Sequence, residues 1–242
     1  MQKSNYTYIW VSLVVLVFGI IFIPKIVDRI NSGTIVENDR MNVKNSNDEL
    51  SYLIIEGKKS SVPSFAFINQ DSLLISDKDY RGKVYVVEFF FTTCPSICPL
   101  MTKNLMAIEK EFKTEKDFGI ASFTINPKND TPRILKEYAE HYGVTNLDWN
   151  FLTGDRDAIY DLANTGFNIF AKQVPDAPGG FEHSGTFALV DKNGYIRSRV
   201  DEFGNPIIYY RGTVTEEEGK NDEGEPQQIS ILKEDIRKLL EE

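Results

Sequence analysis

Cysteine and histidine are scarce in this sequence, with two of each among 242 residues. Two thiols cannot form a disulfide framework, and a bridge between positions only four apart would close too small a loop to add much global stability. Their place in the chain therefore points to chemistry. Positive charge is also short: 27 Lys plus Arg stand against 36 Asp plus Glu, a formal charge of −9. That balance excludes a broad basic face for a phosphate backbone, and nucleic acid is set aside as a partner. There is no internal repeat. The one biased segment, the acidic run from Glu216 to Glu225, reads as a solvated loop. What remains, 41% hydrophobic and 26% charged residues, is the composition of a folded chain whose length supplies a core without staples.

Long hydrophobic runs are absent except for one. From Tyr6 to Ile23 the chain carries no charge, with Lys3 before the run and Lys25 and Arg29 after it, which predicts a single membrane-spanning helix. Tyr6, Tyr8 and Trp10 gather at one end as interfacial aromatics do, and no small-residue cleavage site follows. An uncleaved anchor over residues 1–30 is the expectation, with the large C-terminal part on the extracytoplasmic (periplasmic) side or its mitochondrial equivalent. Residues 31–61 are polar and irregular and read as a linker, the alternative being that Leu50 to Ile55 forms an edge strand.

Beyond the linker, strand and helix patterns alternate. Val84 to Phe91 is β-branched, aromatic and nearly continuous in apolar character, as a strand buried on both faces is. Met101, Leu105, Ile108 and Phe112 then recur at helical spacing, with Pro99 suited to the first helical position. Phe118 to Ile125 and Trp149 to Leu152 read as further strands. Asp130-Thr131-Pro132 opens a helix through Leu135, Tyr138, Ala139 and Tyr142, and Asp155 to Ala163 opens another. Thr186 to Val190 and Tyr195 to Val200 flank a hairpin turn, and Leu232, Ile236, Leu239 and Leu240 line a closing helix. The order predicts an α/β sheet with helices on both sides.

Cys94 and Cys98 fall where the first buried strand gives way to a helix, the place where α/β sheets put their sites and where helix-end N–H groups lower a thiol pKa. Their spacing lets both sulfurs converge, either in a disulfide or on one soft metal ion such as Cu(I), zinc or iron in a cluster. Of the two histidines, His141 lies in the last turn of a helix, where it complements the dipole. His183 sits in a polar turn after the flexible stretch Pro175 to Gly180, free to swing toward the thiols. A Cys₂His set is three-coordinate and suits capture and release of one copper ion, whereas structural zinc needs a fourth ligand. Met101 and Met106 read as core, and Tyr209 and Tyr210 as strand residues. A thiol–disulfide oxidoreductase with Cys94 attacking and Cys98 resolving is the principal rival. A peroxidase ranks last, since no arginine can be assigned beside the thiols.

Several segments together resemble the SCO (SCO1/SenC) family: Val62-Pro-Ser-Phe65, Gly82-Lys-Val84, Phe90-Phe-Thr-Thr-Cys-Pro-Ser-Ile-Cys-Pro99, Asn126-Pro-Lys-Asn-Asp-Thr-Pro132, Trp149-Asn-Phe-Leu-Thr-Gly154 and His183-Ser184. The resemblance runs from about Val62 to the C-terminus. It implies that residues 62–242 form a thioredoxin-like domain holding one copper ion, Cu(I) or Cu(II), through Cys94, Cys98 and His183. It also implies a role as a membrane-anchored metallochaperone for the binuclear copper centre of cytochrome c oxidase, whose copper-bearing subunit would be the acceptor. Two features depart from the family pattern. Asn126 stands where an aspartate is frequent, and the acidic stretch from Val200 to Gln228 is unusually long.

Overall fold

The computed structural model describes residues 7–31, 50–55, 57–200 and 206–242. The chain divides into two compact units, Met1–Met41 and Asn42–Glu242. In the first, the apolar run forms α1 (Thr7–Asn31), with Pro24 inside it. Its side chains Trp10, Leu16, Phe18, Ile20 and Ile23 are exposed. Among the described residues no helix is long and apolar enough to cross a membrane. Tyr6, where the expected span begins, and linker residues 32–49 lie outside the described residues.

The second unit starts earlier than the polar sequence of the linker suggested. Leu50 and Leu53 are buried, and between them β1 (Ser51–Tyr52) pairs antiparallel with the sheet edge at Ser198 and Arg197. Arg197 explains why so polar a stretch is held: its guanidinium donates to Leu50 O, ion-pairs with Asp191 and Glu242, and lies 4.3 Å over the Tyr52 ring. The edge-strand alternative thus holds for Ser51–Tyr52 and not for the whole of Leu50 to Ile55. β2 (Ile54–Ile55) and β3 (Lys58–Lys59) make a small ribbon, and β4 (Ala66–Ile68) and β5 (Leu74–Ser76) another.

The main sheet is built on β6 (Val84–Phe90), buried at every position. It lies between a parallel neighbour, β7 (Phe118–Thr124), and an antiparallel one, Thr186–Val190, which is why its sequence is apolar on both faces. α2 (Cys98–Glu111) crosses from β6 to β7, and α3 (Pro132–Tyr142) from β7 to β8 (Trp149–Leu152), giving two parallel βαβ units. The short α4 (Arg156–Asp161) follows, capped by Asp155, whose carboxylate accepts from Ala158 N, and it continues as one π-helical turn, Leu162–Gly166. Next, β9 (Ala171–Gln173) and β10 (Phe181–His183) form a hairpin of their own, outside the main sheet. The chain then returns through β11 (Thr186–Val190) and β12 (Ile196–Val200), adds β13 (Pro206–Ile207) on β12 and β14 (Tyr210–Arg211) on β11, and closes with α5 (Ile229–Glu241). The sheet order is β1-β12-β11-β6-β7-β8.

On one face of the sheet Phe90 and Phe151 pack edge-on, with Tyr138 of α3 against both, and Thr102 of α2 hydrogen-bonds the Tyr138 hydroxyl. On the other, Phe89 and Phe123 stack and meet Phe65, Phe67 and Phe167. Full burial of such side chains contributes roughly 2 kcal/mol each. One charged residue breaks the apolar run of β6. Glu88 is fully buried and accepts from Ser122 Oγ at 2.6 Å across the β7 pairing, while Trp149 Nε1 donates to the same hydroxyl. Among the described residues no partner meets Glu88 Oε2, and burial pushes the carboxyl up to about 7.

Of the long stretch after β12, residues 206–215 fold onto the domain while Glu216 to Glu225 stays a mostly exposed loop, residues 201–205 lying outside the described set. Tyr210 is fully buried and its hydroxyl donates to Asp235, Val214 and Thr215 are buried, and Arg211 pairs with Glu225. Several of the loop's acids are paired: Glu216 with Lys233 of the closing helix, Glu217 with Lys103, while Glu218 accepts from Thr215.

Candidate metal centre

The loop between β6 and α2 carries both thiols. After Phe90 the strand ends because the chain turns at Thr92, and a buried carboxylate from the neighbouring crossover holds that turn. Asp130 is fully buried and accepts from Thr92 N at 3.0 Å, Thr92 Oγ1 at 2.6 Å, Asn129 Nδ2 at 2.8 Å and the Thr124 hydroxyl. Four donors on one carboxylate offset the cost of burying its charge. The sequence placed Asp130 among helix-capping residues. The structure gives the cap position of α3 to Thr131 and spends Asp130 on the thiol loop.

Past that turn, Cys94 N donates to Phe91 O and Cys94 Sγ lies 3.7 Å from Ser96 Oγ. Cys98 opens α2, with Pro99 in its first turn. Both thiols are free and buried, Cys98 with 1% of its surface exposed. His183 arrives from β10, half-buried, its ring edge-on to Phe91 at 6.1 Å, while Phe91 packs on Phe181 at 5.0 Å. Its Nε2 is 3.3 Å from Cys98 Sγ, and its Nδ1 is 3.3 Å from Ser184 O. A carbonyl only accepts, so the proton belongs on Nδ1 and the Nε2 lone pair faces the sulfur.

The three donor atoms lie within 4.8 Å of one another. The thiols are not equivalent. A hydrogen bond from Cys98 brings the Cys94 thiol down to about 3 against the opposing effect of burial. The same Cys98–Cys94 hydrogen bond, with burial added, pushes Cys98 above the ordinary thiol range. One sulfur is thus a ready thiolate and the other its proton-bearing neighbour.

The donor set fits copper. Two sulfurs and one imidazole are soft to borderline ligands, and no fourth Cys, His, Asp or Glu joins the group among the described residues. Three soft donors suit Cu(I) better than four-coordinate zinc.

The other sequence candidates stay out of the cluster. His141 sits in the last turn of α3 against Tyr142, Met101 is fully buried core, and Met106 packs on that core. Tyr209 donates to Phe167 O, Tyr210 to Asp235. Asn126 donates its backbone N–H to Thr124 Oγ1 and lines a cavity of about 290 Å³ with Lys128, Arg156 and Phe181. What the sequence missed is the support: Thr92, Asp130 and Phe91. Only the order of a Thr-Cys turn and an Asp-Thr-Pro turn after adjacent strands hinted that the first two meet.

Comparison with known proteins places this geometry. Residues 55–215 match the family model described as SCO1/SenC. The SCO1 protein homolog of Bacillus subtilis is 35% identical over 137 residues, which cover 56% of this chain and 70% of that protein. Among solved structures, BsSco, described as a member of the Sco family of cytochrome c oxidase assembly proteins with a disulfide switch, aligns with a TM-score of 0.60 at 28% identity. That alignment covers 75% of this chain and 94% of the other. Arabidopsis thaliana ScoI, solved with copper bound, aligns with a TM-score of 0.55 over 76% of this chain and all of its own; at 19% identity the likeness is one of fold. The mixed α/β architecture is thus of the thioredoxin-like class. The matched segment contains both thiols and the imidazole, and the chain belongs to the SCO1/SenC family.

Proposed function

We propose that this protein carries one copper ion per chain, taken up as Cu(I) by Cys94, Cys98 and His183, and passes it to the copper-bearing subunit of a cytochrome c oxidase. The observation that carries this reading is the convergence of two thiols and one imidazole lone pair within 4.8 Å, with no fourth Cys, His, Asp or Glu donor among the described residues. Cys94 supplies a thiolate without further deprotonation, Cys98 gives up its proton on binding, and His183 offers Nε2 with its tautomer fixed by Ser184 O. Two thiolates hold a soft ion firmly, and a site with only three donors leaves room for an incoming ligand, so the ion leaves by stepwise exchange rather than by dissociation into water. The acceptor is inferred from the description of BsSco. The uncharged run from Tyr6 to Ile23 and the exposed apolar side chains of α1 support an N-terminal anchor, with the domain on the extracytoplasmic side.

A second reading rests on the unequal thiols. Cys94 thiolate would attack a protein disulfide and release one partner thiol. Cys98 would then attack the Cys94 sulfur and release the second. The partner disulfide gains two electrons, the Cys94–Cys98 pair is oxidised, and an external dithiol returns it. The deciding test mixes the Cu(I)-loaded full chain, in detergent, with an acceptor fragment bearing an empty two-copper site. Copper appearing in the acceptor without release to a chelator supports delivery. Disulfide reduction in the acceptor, with copper retained by the donor, supports the second reading.

A further inference from the structure

The imidazole stands on weak footing: β9 and β10 form a two-stranded ribbon apart from the main sheet. Beside the contacts of Phe181 and His183 with Phe91 and of His183 with Cys98, one attachment to the thiol side runs through the segment after β14. Gly212 N donates to Gly185 O at 2.8 Å, two residues beyond His183. From the other side Asn104, on α2 and only 2% exposed, donates both hydrogens of its amide, to Gly212 O at 2.8 Å and Val214 O at 3.1 Å. α2 is the helix that opens with Cys98. A continuous chain of short bonds therefore links the Cys98 helix to the His183 turn. The packing is tight as well as bonded, since a Cβ on Gly185 would lie 2.2 Å from Thr213 Cγ2 and 3.3 Å from Ile97 Cδ1, beside Cys98.

We infer that residues 212–214 are a spacer that sets the His183 Nε2 to Cys98 Sγ separation, with Asn104, Gly185 and Thr213 as positioning residues for the third metal donor. The inference rests on the copper reading. A glycine at 185 is needed because only a hydrogen there lets the strap lie against the turn; its backbone is not in the left-handed region that favours glycine. The same contact explains why β14 pairs with Thr186 and Phe187 at the start of β11, which keeps the strap in register with the turn. The long stretch that departs from the family pattern thus supplies, through residues 212–214, a support for the imidazole side of the metal centre.

Gly185→Ala should push the strap and the His183 turn apart, and Thr213→Ser removes the methyl that the new Cβ would strike. The measurements are Cu(I) competition against a chelator and, without metal, the alkylation rate of Cys98 in a Cys94→Ser background, each on the full chain in detergent. Gly185→Ala should lose about tenfold or more in copper affinity, the usual cost of disturbing an outer support of a ligand. Its Cys98 should alkylate faster by a similar factor. Gly185→Ala/Thr213→Ser should return both toward the wild-type values, which a general loss of stability would not do. Asn104→Ala, which keeps the steric fit and removes both amide bonds, should shift both readouts in the same direction should Gly185→Ala fail to fold. Wild-type affinity and alkylation in folded Gly185→Ala, or no recovery in the double variant, would overturn the spacer. If the wild type itself holds no copper against the chelator, the copper reading fails; the alkylation series then decides the spacer alone, unchanged rates overturning it.

Discussion

The two halves of the metal centre are held in opposite ways. The thiols stand at the end of a fully buried parallel strand, in a turn gripped by a carboxylate with four donors. The imidazole stands on a two-stranded ribbon outside the sheet, tethered by Ser184 N to Phe170 O and by Gly185 O from Gly212 N. On the proposed copper reading the sulfurs would form a fixed seat for a soft ion and the nitrogen would be the donor whose loss opens it, because moving a ribbon costs a few backbone bonds whereas moving the thiol turn would strand buried donors.

That contrast can be broken most severely from the thiol side. Replacing either Cys94 or Cys98 by serine removes a soft anionic ligand and should abolish one-to-one copper retention, whereas His183→Ala removes a neutral donor and should weaken it by at least the roughly tenfold that loss of an outer support costs, a difference read by chelator competition. Asp130→Ala leaves the N–H and hydroxyl groups of Thr92, the Thr124 hydroxyl and the Asn129 amide without their acceptor. It should cost about 3 kcal/mol in denaturant unfolding and loosen copper binding together with stability. No single change on the ribbon should do as much to the fold.

Glu88 sharpens the comparison through pH. Burial raises its pKa from 4.5 to about 7, so the unfolded chain gives up this proton first as pH rises. Stability is then fully present below pH 4.5, falls by about 3 kcal/mol between pH 4.5 and about 7, and is flat above. Glu88→Gln should flatten that slope in unfolding curves taken across the window. The thiols themselves give a smaller signal: ultraviolet absorbance of the reduced, metal-free chain should show one thiolate persisting down to about pH 3, from Cys94, and none from Cys98 across the ordinary thiol range. Smallest of all, Lys103→Ala breaks an exposed pair with Glu217 and should change stability by less than about 0.5 kcal/mol.

The sheet was legible where periodicity was strong. Val84–Phe90, Phe118–Thr124, Trp149–Leu152 and Thr186–Val190 are strands at or within a residue of their sequence limits, since burial on two faces writes an unbroken apolar run. β1 entered the sequence reading only as an alternative to a linker, because a two-residue edge strand between two leucines, held by Arg197 from a distant part of the chain, leaves no periodic mark. The π turn after α4 and the ribbon carrying His183 were likewise invisible, being set by tertiary contacts. Of the candidate site, the three donors could be named from residue type and order. Asp130 and Asn104 could not, because a buried carboxylate or amide spells the same letters as a cap or a surface residue.

The central claim is that three side chains from two differently anchored elements hold one copper ion. The most direct measurement is an anaerobic Cu(I) titration of the reduced full chain against a competing chelator, repeated with Cys98→Ser and His183→Ala. One ion per chain, lost in the first variant and weakened but countable in the second, is the predicted result. Failure of the wild type to compete, or a His183→Ala affinity equal to the wild type, would contradict it.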